Sequence, residues 1–82
     1  MNDKRNAPKV QGILGVGLDN HDEHQRVTRA DNFVLVGGSA ETHERMQDTA
    51  IRFNEELKRR GKTLQETEPA EALDLLRDAM DH

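Results

Sequence analysis

From Val10 the apolar residues Val10, Leu14, Val16 and Leu18 fall on even positions, while Gln11, Gly15 and Gly17 take odd ones. A period of two predicts a strand, and Ile13 is the one interruption. Glycine inside a strand costs backbone entropy and packs nothing. Gly15 and Gly17 therefore predict either a bulge or a face that another stretch of backbone approaches closely. A polar loop runs from Asp19 to Gln25. Beyond it, Arg26-Val27-Thr28-Arg29 has the β-branched content of a short edge strand, with arginines that discourage pairing with neighbours. Phe33 to Val36 reads as a buried strand, joined to the edge strand through a turn at Ala30-Asp31-Asn32.

After Gly37-Gly38-Ser39 the period becomes helical. Ser39 is a good N-cap, and Glu41 and Glu44 sit near the positive end of the helix. Met46, Ala50, Phe53 and Leu57, widened by Ile51, make an apolar face from about Ala40 to Arg60. The last turn carries Lys58-Arg59-Arg60 followed by Gly61, cations at the negative end and a glycine for the cap. A linker follows, and Thr67-Glu68-Pro69 then opens a second helix with proline in its first turn. Ala72, Leu73, Leu76, Ala79 and Met80 form its predicted stripe, with Leu75 beside it and Glu71, Asp74, Asp78 and Asp81 on the other side.

Strands first and helices second imply an α+β fold. The expectation is one small domain over residues 10–82, preceded by a flexible leader at 1–9. Its fold would be a small antiparallel β-meander of two to three strands, followed by the long amphipathic helix and the shorter C-terminal helix packed on it.

Composition sharpens this picture. A chain of 82 residues hides only about 60% of the surface its unfolded form exposes, so association with a protein partner or a second copy is expected. The absence of cysteine removes disulfides, thiolate metal sites and cysteine nucleophiles together, and fits a cytoplasmic setting. The longest mostly apolar run, Val10 to Leu18, is far short of the roughly 20 residues that span a bilayer. No membrane segment and no secretory signal are expected. Phe33 and Phe53 are the only aromatic residues, which deprives nucleic-acid binding of its stacking platform. The net charge is −4, and residues 63–82 alone contribute −5. Nucleic acid is accordingly disfavoured as a partner, despite the basic run Lys58, Arg59, Arg60 and Lys62.

Three constellations could carry chemistry. Asp19, His21 and His24, beside Asp22 and joined by His43 if the loop folds back, are the ligand types a metal takes when thiolates are absent. Gly37, Gly38 and Ser39 form a turn into a helix N-terminus, which presents amide donors to an anion, although Glu41 and Glu44 oppose one. Ser39 and His43, four residues apart on the helix, resemble a hydroxyl and its base, with Asp22 or Glu44 as the orienting group. The chain has little bulk for a water-excluded pocket, so neither an enzyme nor a bound cofactor is expected. The expectation is a non-enzymatic interaction or regulatory module acting through its helices. Glu71, Asp74, Asp78 and Asp81 would face a basic partner, with Arg59 and Arg60 steering it or pairing with a second copy. The alternative is a small-ligand or metal-binding protein that uses the loop from Asp19 to His24 and the turn from Gly37 to His43.

Overall fold

The computed structural model describes residues 10–20 and 24–81. Three strands, β1 (Ile13–Gly17), β2 (Val27–Ala30) and β3 (Phe33–Gly37), precede helix α1 (Ala40–Arg59), a 3-10 turn (Leu64–Glu66) and helix α2 (Pro69–Met80). The protein is α+β, with the strands in spatial order β1-β3-β2. Among the described residues no helix is long and apolar enough to cross a membrane.

The sheet is mixed, which corrects the antiparallel meander expected from the strand order. β2 and β3 form the predicted hairpin, with Val27 opposite Val36 and Ala30 opposite Phe33. Its turn is closed by Asn32 at φ 67°, a left-handed position asparagine tolerates, and Asn54 of α1 hydrogen-bonds both Asp31 and Asn32. β1 instead pairs with the far edge of β3 and runs parallel to it, Ile13 opposite Phe33 and Gly17 opposite Gly37. Between the end of β1 and the start of β2 the chain changes flank and direction. Two consecutive sequence strands therefore lie on opposite flanks of the third.

Periodicity also misleads about which side of β1 meets the core. The helices cover the face that carries Ile13, Gly15 and Gly17, so Leu14 and Val16 point away from them, while Val10, ahead of the strand, still packs against the core. Steric closeness explains this. A Cβ on Gly15 would lie 2.8 Å from Leu35 Cδ2, and one on Gly17 would lie 2.5 Å from the Gly38 Cα. The close-approach reading of these glycines is the correct one, and the side chains that do not fit inside are displaced to the outer face.

The core lies between the inner face of β3 and the helices: Phe33 and Leu35, then Ala50, Phe53 and Leu57 of α1, then Leu64, Ala72, Leu75 and Ala79. Phe33 meets Phe53 edge to face, with ring centroids 5.3 Å apart and an interplanar angle of 83°, a geometry worth about 0.5–1.5 kcal/mol beyond burial. α1 begins at Ser39, whose hydroxyl accepts from the Thr42 amide, as predicted. Its stripe of Met46, Ala50, Phe53 and Leu57 faces the core as predicted and is extended by the buried His43, while Ile51 is exposed. In α2 the buried residues are Ala72, Leu75 and Ala79, while Leu73 and Met80 face out. The stripe is thus rotated toward Leu75, while α2 packs on α1 as expected. The predicted linker is structured. Thr63 and Glu66 form a reciprocal capping box that drives Leu64 into the core with no exposed surface.

Two substitutions test this packing. Gly17→Ala forces a methyl group against backbone and should destabilise the chain by about 1–3 kcal/mol in urea unfolding. Gly12→Ala meets only an ordinary 3.6 Å contact with the Asn32 carbonyl and should change stability by less than about 0.5 kcal/mol. Equal effects at the two positions would refute the inverted placement of β1.

Candidate functional site

The C-terminal ends of β1 and β3, the loop that leaves β1 and the first turn of α1 converge at one corner of the fold. The corner is made by Gly37 and Gly38, at φ 79° and 84°, which turn the chain from strand to helix. Arg26 on the loop ties to both: its carbonyl accepts from the Gly37 amide at 2.7 Å, and its guanidinium donates to the Gly38 carbonyl at 3.1 Å.

Asp19 occupies the position an external anion would take. Its carboxylate accepts from the Ser39 amide at 3.0 Å, the Ser39 hydroxyl at 3.1 Å and the Thr42 hydroxyl at 2.6 Å. The Ser39 hydroxyl in turn accepts from the Thr42 amide. The helix N-terminus is thereby neutralised by a carboxylate of the chain itself. These donors, first the Thr42 hydroxyl and then the Ser39 amide, lower the Asp19 pKa from 3.8 to about 2.

His43 is buried behind this cap. Its Nδ1 lies 2.9 Å from the Gly37 carbonyl, which can only accept, so Nδ1 carries the proton. Its Nε2 lies 2.8 Å from the Thr28 hydroxyl, and that oxygen accepts from the Gln47 amide at 2.9 Å. A neutral ring gives every group one direction: Gln47 donates to Thr28, Thr28 to His43 and His43 to Gly37. The chain of bonds joins β2, α1 and the glycine turn. A hydroxyl beside an oriented imidazole is also the arrangement of a nucleophile and its base, yet the partner is Thr28 and not the Ser39 expected from helical spacing. Ser39 is committed to the cap.

The proposed metal ligands are not gathered by this geometry. Asp19 turns to the α1 cap, and His43 uses both ring nitrogens internally. His21 and Asp22 lie outside the described residues, and His24 is exposed in the loop. Among the described residues no three of His, Cys, Asp and Glu come together as a metal ion requires.

Part of the charge on the helices is paired within the chain. Arg60 donates to Glu56 at 2.9 Å and to Glu71 at 3.1 Å, Lys62 reaches Glu71 at 3.0 Å, and Arg59 also pairs with Glu56. The Glu71 pKa falls below the ordinary glutamate range through the hydrogen bond from Lys62 first. The Glu56 pKa falls through the one from Arg60. A groove of about 590 Å³ between the helices exposes Arg52, Arg59 and Arg60 against Glu55, Glu56 and Asp78, and so has no net charge. Asp74, Asp78 and Asp81 are exposed on α2.

The outer face of the sheet is a feature that sequence reasoning missed. The register sets Leu14, Val34 and Arg29 in one row across the strands, and Val16, Val36 and Val27 in the next. Leu14 is 66% exposed, Val16 and Val27 56% each, Val34 38%, and Leu18, just beyond β1, 92%. The available signal was the glycine alternation in β1. Once Gly15 and Gly17 are read as the tight side, the large residues between them have to face out. Comparison with protein-family models, curated proteins and solved structures gives no match.

Two measurements check the corner. Because folding lowers the Asp19 pKa, its contribution to stability is complete above pH 3.8 and is lost as the pH falls through about 2. The wild-type melting temperature should therefore fall across that window more than that of Asp19→Asn, with the two curves converging near pH 2; parallel curves would refute the cap. Thr28→Val leaves both Gln47 and His43 without their partner and should cost about 1–3 kcal/mol in denaturant unfolding. A neutral result would show that the relay contributes nothing to stability.

Proposed function

We propose that this chain is a non-enzymatic interaction module whose contact surface is the outer face of its sheet. The observation that carries the reading is the contiguous patch of Leu14, Val16, Val34 and Val27 on a face that no element of the described chain covers. The largest apolar patch on a protein surface is often a binding surface. The helices support a docking role less well. Their buried residues already pack against one another, and Arg59, Arg60 and Glu71 are paired within the chain. The other acidic residues of the predicted face, Asp74, Asp78 and Asp81, have only the isolated exposed side chains of Leu73 and Met80 beside them, and a mainly charged contact contributes mostly to steering. The ligand-binding alternative has less support again, because Asp19 and His43 direct their polar atoms to partners inside the fold.

The reading is tested by immobilising the full chain and comparing what it retains from its own cell extract with Val16→Lys and Asp74→Lys variants. Binding that survives high salt, is abolished by Val16→Lys and is unchanged by Asp74→Lys is the expected outcome. The reverse pattern, with binding lost in salt and on reversing Asp74, would return the contact to the acidic helix.

A further inference from the structure

β2 is a free flank of the sheet. The Gly37 amide donates to the Arg26 carbonyl at 2.7 Å, and in an antiparallel pair the hydrogen-bonded positions recur at every second residue. Arg26, Thr28 and Ala30 therefore turn their backbone groups to β3. Val27 and Arg29 turn theirs the other way, where no group of the described residues meets them. Unpaired backbone groups on a sheet edge are a template for a further strand. On the helix side of this edge, β2 and α1 leave a cavity of about 360 Å³. Thr28 and Ala30 form one wall, Gln47 and Ile51 the other, and the buried Leu35 and Ala50 the back. Thr28 and Gln47 are already hydrogen-bonded to each other, and Ile51 is 55% exposed. A cavity of this composition accepts an aliphatic side chain.

We propose that an extended segment of a partner protein adds to the sheet antiparallel to β2, with one aliphatic side chain in this cavity and a carboxylate beside Arg29. In strand addition the main-chain bonds supply affinity and the alternate side chains supply specificity. Residues directly opposite one another on neighbouring strands share a face, and this fixes the pattern of the segment. Read from its N-terminal side, the residue opposite Arg29 lies on the outer face and is acidic. The next, opposite Thr28, enters the cavity and is aliphatic, and the third lies beside Val27 and is aliphatic too. Charge selects the occupant. Arg29 is exposed and has no partner among the described residues. None of the three strands of this chain contains an acidic residue, so a second copy paired along β2 brings another arginine and no carboxylate. Asp48, at the cavity on the helix side of the sheet, opposes a carboxylate at the inward position. This contact adjoins the outer face through Val27 but rests on separate observations, the free edge and the cavity.

The probe is a blocked peptide, acetyl-Thr-Glu-Leu-Val-Thr-amide, titrated at low salt into the isotope-labelled full chain and followed by amide chemical shifts and hydrogen exchange. The largest shifts are expected at Val27, Arg29 and Ile51, with slowed exchange of the Val27 and Arg29 amides. Replacing the peptide's leucine with alanine should weaken binding about tenfold, and replacing its glutamate with glutamine about threefold. N-methylation of its valine, whose amide faces β2, should abolish binding. Ile51→Asp should also abolish it, and Arg29→Glu should transfer the preference to a peptide with lysine in place of glutamate. Thermal unfolding by circular dichroism establishes that both variants are folded. Unperturbed β2 amides at millimolar peptide overturn the proposal, as does binding indifferent to N-methylation and to Ile51→Asp. Protection of Val27 and Arg29 that grows with protein concentration in the absence of peptide overturns it in favour of a second copy. Val16→Lys, on the opposite flank of the sheet, should leave peptide binding unchanged, so its effect on capture from extract reports on the outer-face reading alone. Peptide binding lost in Val16→Lys and kept in Ile51→Asp would place the peptide on the outer face and overturn the β2 edge.

Discussion

The approach of the Gly17 backbone to that of Gly38 sets the geometry of the rest of the molecule. With a Cβ on Gly17 falling 2.5 Å from the Gly38 Cα, only hydrogen fits at that position. The contact brings the end of β1 against the turn that starts α1. With β1 held there and paired to β3 in parallel, Asp19 just beyond it reaches the α1 N-terminus, and Arg26 just before β2 reaches the Gly38 carbonyl. The same constraint places the glycine side of β1 under the helices, so that Leu14 and Val16 point outward.

Energetically the fold is divided into two parts of different character. The core is small and apolar, centred on the Phe33–Phe53 pair and closed at one end by Leu64. The corner where strands meet helix is polar and held by directed hydrogen bonds: a carboxylate on a helix N-terminus, and the relay from Gln47 through Thr28 and His43 to Gly37. A helix cap and a histidine relay each fix one orientation, where packing among aliphatic side chains tolerates several. In so short a chain, the polar corner supplies orientation that a nine-residue core leaves loosely specified. These bonds also consume the groups that chemistry would need. Asp19, Ser39 and His43 are the residues a ligand or an activated nucleophile would call on, and each has its partner inside the fold.

The outer sheet face is the counterpart of that economy. Apolar area excluded from the core by the glycines collects in two cross-strand rows instead of being scattered. It is gathered on the one face of the sheet that no described element covers. The proposed contact surface is on the side of the sheet away from the helices, where the charge pattern of the sequence gives little indication of it.

Much of the local structure was legible along the chain. Ser39 as a cap, the extent of α1, proline opening α2 and the β2–β3 hairpin all follow from short-range rules, since capping, helical period and turn chemistry act within a few residues. Three other features depended on contacts between distant residues. The parallel pairing of β1 is set by β3, twenty residues away, and alternation alone carries no strand direction. The inward side of β1 was decided by which side chains fit beneath α1, and hydrophobicity alone favoured the wrong one. Likewise, which side of α2 is buried was settled by its packing on α1, and Asp19 and His43 turn to hydrogen-bond partners 20 and 15 residues away. The sequence by itself determined which elements form and where they begin. Only the tertiary structure decided which faces are covered and which polar groups are spent, because burial and hydrogen-bond satisfaction belong to pairs of elements and not to any one of them.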